Sequence, residues 1–187
     1  LARILGNPAR LVDAIEAEVG AVEDLDLAVR LHARAADAAE RELGDLDRAV
    51  KHHRAVLAKD AANMSALVSL ERIYASTEKY EDLAQVFLRK AEVVQEPFDV
   101  KEQFYQAGRI YEEILDRKDR AIAVYRRLHE YDAEDLTAVD KLIELYLGQQ
   151  SWNELLALYE KKTGLVGDLD EKTRILLEPG TVLRLEV

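Results

Sequence analysis

The sequence contains no cysteine among its 187 residues. Disulfide staples, thiolate metal sites and cysteine nucleophiles are thereby excluded. It is also poor in chain breakers, with 3 prolines and 8 glycines. No stretch approaches the roughly 18 consecutive apolar residues of a membrane span, so no membrane insertion is expected. Basic side chains are outnumbered 26 to 37, a net charge of −11. A phosphate backbone is repelled on average by such a chain, and direct nucleic-acid binding is not expected. What remains is 49% hydrophobic and 34% charged, a folded protein rather than a disordered one. Leu1–Leu5 lack the apolar core and cleavage pattern of a signal peptide. The repeat pattern puts Leu1 and Val187 in mid-helix, so the chain reads as an excerpt of a longer protein. Its localisation stays open, leaning cytoplasmic.

Five segments share one pattern, apolar at i, i+1, i+3 and i+4, with histidines substituted only in the second: Leu11–Ile15, Ala49–His53, Leu83–Phe87, Ala121–Tyr125 and Leu155–Tyr159. That spacing makes one stripe of an α-helix and is incompatible with the period of two in a strand. Their first residues are separated by 38, 34, 38 and 34 positions, so two repeat types alternate with a period of 72. Shifting the sequence by 72 superposes Asp47-Arg48-Ala49 on Asp119-Arg120-Ala121. The same shift brings Arg54 onto Arg126, Leu70 onto Leu142 and Tyr74 onto Tyr146.

Partner helices lie between these segments, each ending at a landmark: Ala39, Tyr74, Tyr111 or Tyr146. The pattern predicts about ten antiparallel helices. They lie near 8–19, 27–43, 46–58, 63–76, 80–94, 98–115, 118–130, 136–148, 152–163 and 168–178. Residues 1–187 then form a single array whose second helices start near 8, 46, 80, 118 and 152. Gly6, Gly20, Gly44, Gly148 and Gly164 are expected at left-handed helix ends. Asn7, Asn63 and Asp135 are expected as N-caps, and Ser151 with Glu154 as a capping box. Pro179-Gly180 falls where a helix interior should be, so the last helix is expected to stop near Leu177 or Glu178. A pair of about 34 residues cannot bury its stripe alone, so neighbours must stack into a solenoid.

A helix pair recurring at this length resembles the tetratricopeptide repeat. Phe104-Tyr105-Gln106-Ala107-Gly108-Arg109-Ile110-Tyr111 looks like that family's first helix and Ala121-Ile122-Ala123-Val124-Tyr125 like its second. Asp60-Ala61 and Asp132-Ala133 stand where the family often has Asp-Pro. The sequence departs from the family where small residues give way to Glu71 and Ile143, and to Val56, Lys90, Leu128 and Lys162. The related half-a-tetratricopeptide repeat of RNA-processing complexes is the second resemblance. The first implies an all-α, right-handed superhelical solenoid. It also implies a non-enzymatic interaction scaffold that holds a peptide or helix in a concave groove lined by first helices. A structural or self-assembling spacer, with cut ends that pair molecules, is the alternative function. No cofactor or metal is expected.

The four histidines show no ligand spacing: His52 and His53 point about 100° apart on a helix, and His32 and His129 lack a partner at i+4. Neither a Ser-His-Asp set nor a phosphate loop appears. The positions two and six before each landmark share one face, because they are four residues apart. They read Ala33/Asp37, Val68/Arg72, Tyr105/Arg109 and Asp140/Glu144. Arg72, Arg109, Tyr105, Val68 and Gln106 are therefore the candidate partner-binding residues. The expected partner is a protein segment that is acidic at its centre.

Overall fold

The computed structural model describes residues 7–170, 172–175 and 177, and every regular element among them is helical. The order is α1 (Pro8–Glu18), a 3-10 turn (Val19–Ala21), α2 (Leu25–Arg41), α3 (Leu46–Lys59), α4 (Met64–Ser76), α5 (Tyr80–Val93) and α6 (Pro97–Arg109). A π-helical turn (Ile110–Ile114) follows, then α7 (Lys118–Tyr131), α8 (Leu136–Gln149) and α9 (Trp152–Leu165). Residues 169–170, 172–175 and 177 are helical too. These are the predicted elements, with shifted ends. Residues 98–115 differ most, since only the part to Arg109 is α-helical. There the Leu115 N–H donates to the Ile110 carbonyl, five residues back, at 3.0 Å. The wider turn holds the extra residue while Tyr111 stays buried. The predicted stop at Pro179-Gly180 lies outside the described residues.

The chain divides into two compact units, Leu1–Gln103 and Phe104–Val187. In the first, α1 packs on α2, α2 on α3, α3 on α4 and α4 on α5; in the second, α7 packs on α8 and α8 on α9. Each of these helices thus packs against its sequence neighbour. The layer between α2 and α3 is built from alanines, with Ala28, Ala35, Ala36, Ala39 and Ala49 all fully buried. Larger side chains fill the later pairs: Leu67, Leu70 and Tyr74 in the first unit, and Tyr125, Leu128 and Leu142 in the second.

Ion pairs join helices that are not sequence neighbours. Arg48 of α3 pairs with Asp13 and Glu16 of α1, and Lys51 reaches Glu16 at 2.8 Å. On the other side of α3, Arg54 lies 2.6 Å from Asp82 of α5. Between the sequence neighbours α4 and α5, two of the departures from small residues answer each other, because Lys90 holds Glu71 at 2.7 Å.

Helix starts follow the expected chemistry. Asn7, Asp24, Asp45, Asn63 and Asp135 each accept the N–H three residues on, at 3.0–3.1 Å. Ser151 departs from expectation, as its side chain makes no capping bond at α9. Helix ends correct the glycine reading. Only Gly44 is left-handed (φ 66°); Gly20 sits in the 3-10 turn, Gly148 and Gly164 lie inside helices, and Gly6 lies outside the described residues. The other left-handed ends are Glu78 (φ 55°), Asp116 (φ 49°) and Gln150 (φ 57°). All four ends share one motif. The landmark carbonyl of Ala39, Tyr74, Tyr111 or Tyr146 accepts the N–H of Asp45, Lys79, Arg117 or Ser151 at 2.7–3.0 Å, just past the left-handed residue.

Candidate functional site

In the first unit the candidate face runs along α4, where Val68 is 49% exposed and Arg72 follows one turn later. Arg72 does not stand free: its guanidinium pairs with Glu40 of α2. The Glu40 side chain is only 8% exposed, and its other oxygen lies 3.9 Å from His53 Nε2. Arg72 is therefore held in place by a largely buried acid. It keeps further N–H donors directed to solvent, since a guanidinium carries five.

In the second unit the face is formed by Tyr105, Gln106 and Arg109 of α6. Arg109 is exposed and lies 3.7 Å from Glu113. Tyr105 is half-buried, and its hydroxyl donates to Asp135 Oδ1 at 2.6 Å. That oxygen also caps α8 by accepting the Ala138 N–H. Burial, then the bond to Asp135, pushes the Tyr105 phenol well above its ordinary range. The hydroxyl thus serves the array, and the ring, tilted against Tyr125 with centroids 6.3 Å apart, is what Tyr105 offers a ligand. Gln106 is half-buried beside it. Farther along the same unit the flanking acids are partnered: Asp140 by Lys162 at 2.8 Å and Glu144 by Lys141 at 3.5 Å.

The histidines hold a feature that spacing does not show. His32 of α2 and His52 of α3 are buried with their Nδ1 atoms 3.0 Å apart, so one ring donates a proton and the other accepts it. On the far side of the His52 ring, Nε2 stands 3.3 Å from Glu16 Oε1. Lys51 and Arg48 hold the Glu16 carboxyl down to about 2. Burial pushes His32, His52 and His53 below the ordinary imidazole range. Among the described residues, no three His, Asp or Glu side chains converge so as to hold a metal ion. Nor is any helix there long and apolar enough to cross a membrane.

The profile described as "Tetratricopeptide repeat" matches residues 66–101, which run from the first turn of α4 through α5 into α6. Residues 66–101 are thus similar to one tetratricopeptide repeat. No curated protein matches the chain. Solved structures with a similar fold include YrrB, described as a TPR protein with an unusual peptide-binding site. It is 16% identical with a TM-score of 0.45, over 88% of this chain and 84% of that one. PilF of Pseudomonas aeruginosa is 14% identical with a TM-score of 0.45, over 95% of this chain and 84% of that one. Yeast Tom70 is 12% identical with a TM-score of 0.44, and this chain spans 96% of its own length but 40% of Tom70.

Proposed function

We propose that the chain is a non-enzymatic scaffold that holds a segment of a partner protein against its first helices. The observation that carries this reading is the α4 face of the tetratricopeptide-like repeat. There a half-exposed valine, Val68, adjoins an arginine whose position is fixed from behind by Glu40. An apolar contact beside a pre-positioned guanidinium lowers the ordering cost of binding a peptide that carries a carboxylate. In the second unit Arg109, Gln106 and the ring of Tyr105 offer the same combination. The partner segment is accordingly acidic opposite the arginines.

The test is site-specific photocrosslinking from Val68 and Gln106, in the intact chain exposed to its host lysate. The exposed loop residue Gln95 serves as control. One common protein crosslinked from Val68 and Gln106 but not from Gln95, and lost in Arg72→Ala/Arg109→Ala, is the expected result. A product independent of both arginines would place the contact elsewhere.

A further inference from the structure

Away from the first-helix face, the seam between α3 and α5 opens into two adjoining clefts of about 390 Å³ each. Leu57 and Arg89 line both, so they stand where the clefts meet. The floor of one is Leu70, Val86 and the edge of Tyr74, and the wall of the other is the small pair Ala61 and Ala62. The charges around the first cleft differ in one respect. Arg54 is closed onto it as a latch, donating through Nε to the Tyr74 hydroxyl at 2.8 Å and through Nη2 to Asp82 at 2.6 Å. Lys79, farther along the seam, is answered by Asp47 at 3.2 Å. Arg89 is exposed and has no hydrogen bond or ion pair with any described residue. A chain of net charge −11 thus keeps an unpaired guanidinium over a trough with an aliphatic floor, where Asp82 is already neutralised and Glu92, which lines the second cleft, is engaged as well.

We infer that this seam is a second docking site, for a partner segment that places an Asp or Glu side chain between aliphatic side chains. The carboxylate pairs with Arg89, a planar donor suited to bidentate contact. The flanking aliphatic groups enter the clefts on either side, each large enough for one or two such side chains. Charge selects the occupant: a basic segment meets Arg89 and gains no free carboxylate from Asp82, while an uncharged one leaves the guanidinium unanswered. The site is separate from the first-helix face.

The test is selection of random dodecapeptides displayed on phage against the intact, immobilised chain. Displayed peptides have no free C-terminus, so the carboxylates they offer are side chains. Peptides enriched in Asp or Glu beside Leu, Ile or Val are expected, with affinity falling at least fivefold in Arg89→Gln and by less in Arg89→Lys, which keeps the charge but not the paired donors. Circular dichroism of each variant checks that the fold is intact, as expected for an exposed side chain. Peptides that bind equally well to Arg89→Gln but are lost in Arg72→Ala would overturn this inference and leave the first-helix reading standing. Selected peptides with no acidic-aliphatic signature would overturn it as well. No selectable peptide at all would count against both readings.

Discussion

At Gly108 a hydrogen is all the space allows. A Cβ built there would stand 2.5 Å from Cε1 of the buried Tyr125, whose hydroxyl is held by Glu112 at 3.0 Å. Gly108→Ala gains about 1 kcal/mol of helix propensity but forces that ring to move, and overpacking costs about 1–3 kcal/mol. A net loss of stability is expected in thermal melts. Gly148→Ala is the contrast: it sits in α8 with nothing within 4 Å, so a gain of up to about 1 kcal/mol is expected. The buried histidines set the pH response. Because folding holds His32, His52 and His53 below their unfolded values, the unfolded chain binds more protons. Their neutral forms contribute stability that is complete above about pH 6.5 and is lost as pH falls below it. Glu16, lowered from 4.5 to about 2, adds a second loss between those values. Denaturant midpoints are therefore expected to fall in two steps on acidification, and His52→Gln should flatten the first. None of this is legible in sequence. His32 and His52 are twenty residues apart, and only the register between α2 and α3 brings their rings together.

At the scale of the element, the sequence announces helices well and their ends poorly. The i, i+1, i+3, i+4 stripes locate α1, α3, α5, α7 and α9 because burial of one face demands them. Asn7, Asn63 and Asp135 are legible as caps because a short side-chain acceptor has one local use there. The left-handed ends were not legible at Glu78, Asp116 and Gln150, since the usual sign is glycine and the motif is imposed by the landmark carbonyl instead. That mismatch yields a prediction. A left-handed L-residue costs about 1–2 kcal/mol that glycine avoids, against glycine's greater unfolded entropy. Glu78→Gly, Asp116→Gly and Gln150→Gly should each raise stability by about 0.5–1 kcal/mol, and Gly44→Ala should lower it by about 1 kcal/mol. Chemical denaturation of the four variants checks both signs together.

For the whole molecule, the candidate residues Val68, Arg72 and Arg109 lie exposed, as the helical face they are read from implies, while the partners of Arg72 and Tyr105 were hidden from the sequence. Nothing in spacing tells that Glu40 reaches Arg72 or that Asp135 takes the Tyr105 hydroxyl, because these bonds join alternate helices. Positions 72 apart do not even behave alike. Arg54 is latched onto Tyr74 and Asp82, whereas Arg126 has no hydrogen bond or ion pair with any described residue and lines an open cleft of about 360 Å³ with Tyr146 and Glu154. The pairs between alternate helices each keep at least one partner partly open to solvent, and pairs screened in this way contribute at most about 1 kcal/mol each. Raising salt from 0.05 to 1 M should thus change the unfolding free energy little, since burial between neighbouring helices carries the fold.

The scaffold reading is tested most directly by hydrogen exchange of the intact chain, alone and saturated with the crosslinked partner segment. Slower exchange in the first helices is the expected result, at α2 and α4 in the first unit and at α6 and α8 in the second. Unchanged exchange in those helices at saturating segment would contradict the account.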